Sequence, residues 1–159
     1  MKHSFLMILA LITMIVCGAS ACDRNDDNNN TTNKTPESTT PMTNGKIKIK
    51  INSQTFTATL SDNNAAKAFK EILPLTINMV ELNNNEKYYD LPNSLPTNSS
   101  NPGTIKNGDL MLYGSNTLVL FYKTFSTSYS YTKLGSIDNV TGLDSALGSG
   151  NITVTFELE

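Results

Sequence analysis

The chain of 159 residues has one histidine, two cysteines and no tryptophan. The histidine is His3, the only arginine is Arg24, and the cysteines are Cys17 and Cys22, so residues 46–159 hold no imidazole, guanidinium, thiol or indole. A Ser-His-Asp or Cys-His catalytic arrangement is therefore excluded from that stretch. A zinc or copper site built on histidine and cysteine is excluded for the same reason, and no metal is expected. No glycine-rich loop opens a helix, which removes the common phosphate cradle; "NSSNPGT" has neither the helix nor the lysine. Charge of one sign is also lacking. Nine lysines meet ten carboxylates in residues 46–159, a balance that implies no nucleic-acid surface. No cofactor is implied.

The first residues carry a compartment signal. "MKHSFLMILALITMIVCGASAC" begins with Lys2, continues through an apolar run from Phe5 to Val16, and ends in small residues before Cys22. That order is a secretory signal, too short in its apolar part to span a bilayer as a helix. Cysteine directly after Ala-Ser-Ala resembles a bacterial lipobox, with Ala19 where leucine is more usual, and makes Cys22 the lipidation residue. The plain alternative is an exported protein cut after Ala21. Lipidation also accounts for a lone thiol in an oxidising compartment. The expected partner at this end is the membrane itself, held through hydrocarbon burial at about 0.8 kcal/mol per CH₂.

Residues 1–21 are thus expected to be a lipoprotein signal peptide and residues 22–45 a disordered tether. "DRNDDNNNTTNKTPESTTPMTNG" is rich in Asn, Thr and Pro and has almost nothing with which to build a core. As a flexible coil it spans about 27 Å. Asp23, Asp26 and Asp27 resemble the surface-export signal of Bacteroidota lipoproteins. The expected location is the cell envelope, in the outer membrane, with surface exposure as a further option.

Residues 46–159 have the size of one domain. "KIKIKI" and "QTFTATL" alternate around Asn52-Ser53 and predict an opening hairpin. "SDNNAAKAFKEILP" changes to helical spacing at Ala65, Ala66, Phe69, Ile72 and Leu73, with Asp62 or an adjacent Asn as the cap and Pro74 as the stop. Strands are expected in "LTINMVEL", "EKYYDL", "DLMLYG", "NTLVLFYK", "SYTKLGSI" and "NITVTFEL", and a short helix in "GLDSAL". The sum is mainly β: about eight strands, one firm helix and one short helix, which suits a small closed barrel.

Several segments then resemble the bacterial cyclophilin-like domain family, a minimal version of the cyclophilin barrel. They are "KIKINSQTFTATLSDNNAAKAFKEILPLTINM", "NEKYYDLP", "NPGTIKNGDLMLYGSNTLVLFYK", "YTKLGSID" and "ALGSGNITVTFE", and they cover essentially all of residues 46–159 in the family's order. The resemblance implies a cyclophilin-like closed eight-stranded β-barrel with two helices. It also implies prolyl isomerase chemistry, in which a guanidinium polarises the prolyl nitrogen by positioned charge. No residue of 46–159 matches that arginine. Lys87 or Lys123 supplies charge but no planar fork. The expectation is therefore a non-catalytic module that binds a peptide or small apolar ligand, with no catalytic residue. The alternative is a divergent prolyl isomerase serving exported proteins.

Ligand-groove candidates are Tyr88, Tyr89, Tyr113, Asn116, Phe121, Tyr122, Phe125 and Tyr129, with Tyr131, Ser126 and Ser128 beside them. Tyrosine combines contact area with a polar tip. Strand alternation places Leu118, Leu120 and Tyr122 on one face and Val119 and Phe121 on the other. The competing account is an ordinary barrel core with surface tyrosines. Glu81 and Glu86 flank the Asn83-Asn84-Asn85 turn and read as solvated turn charges. Asp144-Ser145-Ala146 resembles a three-residue O-glycosylation acceptor of Bacteroidota. The sequence leaves the oligomeric state open.

Overall fold

The structure, a computed structural model, describes residues 45–159. The expected signal peptide (1–21), lipidation residue Cys22 and all but the last residue of the tether lie outside the described residues.

Ten strands and two helices follow in the order β1 (Lys46–Ile51), β2 (Gln54–Leu60), α1 (Asn64–Glu71), β3 (Leu75–Leu82), β4 (Glu86–Asp90), β5 (Thr104–Ile105), β6 (Asp109–Tyr113), β7 (Thr117–Phe121), β8 (Phe125–Ser126), β9 (Thr132–Ile137), α2 (Leu143–Leu147) and β10 (Ile152–Leu158). Eight of them close an antiparallel barrel in the order β1-β10-β3-β4-β7-β6-β9-β2, while β5 and β8 pair as a separate two-stranded ribbon. The eight barrel strands are the eight expected from the sequence. The two-residue strands β5 and β8 are too short to leave a periodic signature.

Alternation explains which side of the barrel each residue takes. Ile47, Ile49 and Ile51 are fully buried, while Lys46, Lys48 and Lys50 turn outward. Asn52 takes the left-handed turn conformation (φ 53°) that lets Ile51 pair directly with Gln54. The interior is filled by Phe56, Ala58, Ile77, Met79, Leu110, Leu112, Leu118, Leu120, Val154 and Phe156. Helix α1 adds Ala65, Ala66 and Phe69 to the same core, with the Phe69 ring edge-on to Phe156 at 5.6 Å. Its cap is Asn63, whose side chain accepts from the Ala66 N–H at 2.8 Å; Asp62 pairs instead with Lys67.

Strand β9 reaches β2 at a point where only glycine fits. A Cβ on Gly135 would lie 2.5 Å from the Thr59 carbonyl oxygen and 3.0 Å from the Leu60 Cα. Beside it, the register between β6 and β9 slips by one residue between Leu110 and Met111. The bulge and the close approach together turn the sheet toward closure.

Candidate functional site

Strands β4, β7 and β6 are consecutive in the barrel, and the register lines up their outward residues in rows. Asp90, Thr117 and Tyr113 form one row; Tyr88, Val119 and Met111 form the next; Glu86 and Phe121 form the last. The inward residues of the same strands, Leu110, Leu112, Leu118 and Leu120, belong to the barrel core. Outside the barrel wall a second apolar cluster forms from Ile105, Met111, Val119, Phe121 and Tyr131, with Tyr88 and Phe125 packed on it. The chain between β7 and β9 lies over this cluster, tied to the preceding loop by the β5–β8 pair and by two backbone hydrogen bonds between Ser100 and Tyr131.

The aromatic rings interlock. Phe121, fully buried, meets Phe125 at 5.7 Å and Tyr131 edge-on at 5.5 Å. Tyr131 also meets Tyr113 at 5.6 Å, and Tyr113 meets Tyr129 edge-on at 6.1 Å. Tyr113 and Tyr129 remain 46% and 61% exposed. Between the outer face of β4 and the segment from Phe125 to Tyr131 runs a groove of about 590 Å³, floored by Thr117 and Val119. That volume falls within the range of small-ligand sites, about 300–1,000 Å³.

Of the eight expected groove residues, Tyr88, Tyr113, Phe125 and Tyr129 line the groove, as do Tyr131, Ser126 and Ser128. The other four lie elsewhere. Phe121 sits beneath the groove as the support for Phe125 and Tyr131. Tyr89 follows the pleat to the opposite face and packs on the barrel core. Asn116 is part of the β6–β7 turn, where its amide donates to the Leu91 carbonyl at 3.1 Å. Tyr122, 3% exposed, turns inward, and its hydroxyl donates to the Glu81 carboxylate at 2.8 Å.

Glu81 and Glu86 are not solvated turn charges. Glu81 accepts from Tyr122, from the Asn84 N–H at 2.8 Å, and from the ammonium of Lys87. Lys87 is fully buried and also donates to the carbonyls of Gly148 (2.8 Å) and Gly150 (2.7 Å), which pins the loop after α2 to β4. Burial pushes the Glu81 carboxyl upward, but the hydrogen bonds from Lys87 and Tyr122 and the lysine charge outweigh it and hold the group below its ordinary range. Burial, the neighbouring Glu81 carboxylate and further acidic groups push the Tyr122 hydroxyl far up. Lys87 therefore faces away from the groove, and Lys123 pairs with Asp144 at 3.1 Å. Neither lines the groove.

Glu86 lines the groove instead, as does Asp90. Burial and the charge of Glu81 push the Glu86 carboxyl above its ordinary value. Burial, then the charge of Glu86, push the Tyr131 hydroxyl up. Asp90 accepts from the Thr117 hydroxyl at 2.6 Å. Both acids were legible in "EKYYD": at spacing two from Tyr88 on either side, a strand puts them on its face. Among the described residues no group of three metal-ligating side chains comes together, and no helix is long and apolar enough to cross a membrane.

The model of the cyclophilin-like family matches residues 49–157. Among solved structures, the chain is similar to a hypothetical protein of Archaeoglobus fulgidus known from its solution structure. The TM-score is 0.51 at 16% identity, over 73% of this chain and 95% of that one. At that identity the likeness is one of fold. The search of curated proteins found no match.

Proposed function

The chain belongs to the cyclophilin-like family, and from that premise we propose that it is an exported, lipid-anchored module that binds an extended peptide segment in the groove along β4 without acting on it chemically. The observation that carries the reading is the groove itself: exposed tyrosine rings over an apolar floor, on the outer face of a closed barrel, with hydroxyls of Thr117, Ser126 and Ser128 at hand. Extended peptides are recognised by pockets for alternate side chains and by polar groups that meet the backbone. Tyrosine-lined walls supply contact area at small entropic cost.

The absence of a reactive group supports the non-catalytic half of the reading. Residues 46–159 contain no arginine, histidine or cysteine. Both lysines near this part of the barrel, Lys87 and Lys123, are held by carboxylates outside the groove. Prolyl isomerisation by positioned charge needs a cationic donor aimed at the prolyl nitrogen, and the polar groups lining the groove are carboxylates, hydroxyls and the amides of Asn83 and Asn85. For the N-terminal part, Cys22 behind a short apolar signal supports acylation.

The test combines two readouts on the purified protein with a panel of Xaa-Pro peptides. Proline cis/trans exchange is followed with an authentic cyclophilin as control, and amide NMR shifts are mapped onto the barrel. Shifts at Tyr88, Tyr113 and Tyr129 without accelerated exchange support the reading. Acceleration that survives in Y113F and Y129F would establish an isomerase working through another donor. Radiolabelled palmitate incorporated by the parent and not by C22A checks the anchor.

A further inference from the structure

The groove is chemically one-sided. Its ionisable carboxyls are Glu86 and Asp90, its walls are the π faces and hydroxyls of four tyrosines, and no lysine lines it. Glu86 forms no ion pair among the described residues, although each of six other carboxylates has a lysine partner. Among the described residues Asp90 takes one hydrogen bond, from Thr117, and forms no ion pair either. Glu86 is half-buried and Asp90 exposed; a half-buried carboxylate without a counter-charge lowers stability, and such a group persists where a ligand supplies the missing charge.

The two carboxylates have a fixed separation. Both point outward from β4 and lie four residues apart, with Tyr88 between them on the same face. Strand geometry puts their Cα atoms about 13 Å apart. An extended peptide lying along β4 has the same rise per residue, so its side chains at positions i and i+4 meet the two acids while i+2 rests on Tyr88. At the Asp90 end, Thr117 and Tyr113 continue the row across two neighbouring strands, about 10 Å in all, and Tyr129 stands edge-on to Tyr113. A lysine or arginine reaching into this corner meets a carboxylate on one side and aromatic rings on the other, so that ion pairing and cation–π attraction act on it together.

Resting on the reading of the groove as a peptide site, we infer that its occupant is a basic segment in extended conformation, with lysine or arginine at two positions four residues apart flanking an apolar residue. Anionic segments are rejected by Glu86 and Asp90. The spacing arises from β4 alone, so it is independent of the segment's direction.

The test uses acetylated, amidated heptapeptides and amide NMR titration of the purified protein. The probe is Ala-Lys-Ala-Leu-Ala-Lys-Ala. Its counterparts carry glutamine or glutamate in place of lysine, or move the second lysine to give i, i+3 spacing. The expected result is binding at the groove amides by the lysine peptide, at least about fivefold weaker binding by the glutamine peptide, and none by the glutamate peptide. The i, i+3 peptide falls between the first two. E86Q and D90N, which keep the side-chain shape, each reduce the preference for lysine over glutamine. Equal affinity for the lysine and glutamine peptides, with shifts at the groove, overturns the charge inference and leaves the groove reading standing. Equal affinity for the two lysine spacings overturns the spacing. Shifts confined to other faces, or no shift with any peptide, overturn both.

Discussion

Replacing Lys87 with methionine keeps most of the side-chain volume and removes one charge from a fully enclosed position. The Lys87 side chain is 0% exposed and its partner Glu81 is 16% exposed. K87M leaves the Glu81 carboxylate in that place with Tyr122 and the Asn84 N–H as its donors, and strips the carbonyls of Gly148 and Gly150 of theirs. Breaking a buried pair by deleting one member costs about 3–5 kcal/mol, because the survivor keeps its desolvation penalty. Glu81 retains some contact with water, so the lower end applies, about 3 kcal/mol. For a domain of this size that lowers Tm by about 12 °C. Urea unfolding followed by tyrosine fluorescence measures it, with K67A as control, since Lys67 and Asp62 are 65% and 91% exposed and their loss leaves the midpoint in place. The sign with pH is also determined. The Glu81 pKa is lower in the folded protein than its ordinary value of 4.5. Its contribution is therefore full above 4.5 and lost as the pH falls through the folded value. The gap between K87M and the parent should narrow over the same interval. A loss below about 1 kcal/mol at neutral pH, or a gap that does not narrow on acidification, would refute the assignment of Lys87 and Glu81 as a buried pair.

Three further outcomes are expected. E86Q raises stability at pH 7, because the folded Glu86 pKa lies above 4.5 and the charged form is disfavoured in the fold. The gain disappears as the pH falls below 4.5, where the carboxyl is protonated in both states, and paired urea titrations at pH 7 and pH 4 follow it. G135A forces a methyl group against the Thr59 carbonyl and the Leu60 Cα; it costs about 3 kcal/mol, read as a lower urea midpoint, with faster amide exchange across β2 and β9. N63A removes the cap of α1 together with the amide's donation to the Lys133 carbonyl and costs about 1 kcal/mol, read as a lower urea midpoint.

The cation-binding groove and the stability predictions meet at β4. Its five residues alternate between two assignments: Lys87 and Tyr89 face inward, while Glu86, Tyr88 and Asp90 face the groove. One strand thus carries both the lysine of the buried ion pair, which pins the loop after α2, and the acids that give the groove its charge. A one-residue shift in its register would exchange the two sets, burying two carboxylates and exposing the lysine. The pairing of β4 with β7 over all five of its residues opposes that shift.

Local periodicity determined the eight barrel strands, the long helix and the inward and outward faces of β1 and β7, because a two-residue or 3.6-residue repeat is written in consecutive residues. Composition likewise determined which catalytic chemistries residues 46–159 lack. Tertiary structure alone decided what those faces meet. Tyr88 and Tyr89 are indistinguishable by residue type, yet one lines a groove and the other packs on the core, because a closed barrel gives the two sides of a strand different surroundings. Glu81 and Lys87 are six residues apart in a polar stretch that reads as solvent-exposed; they are enclosed because the chain after α2 returns, some sixty residues later, to lay two carbonyls on the lysine. Tyr113 and Tyr129 come together because the β5–β8 ribbon folds the segment after β7 back over the barrel wall, and a pair of two-residue strands has no repeat from which to read it. Contacts of long sequence separation depend on closure of the sheet, and closure is a property of all eight strands at once.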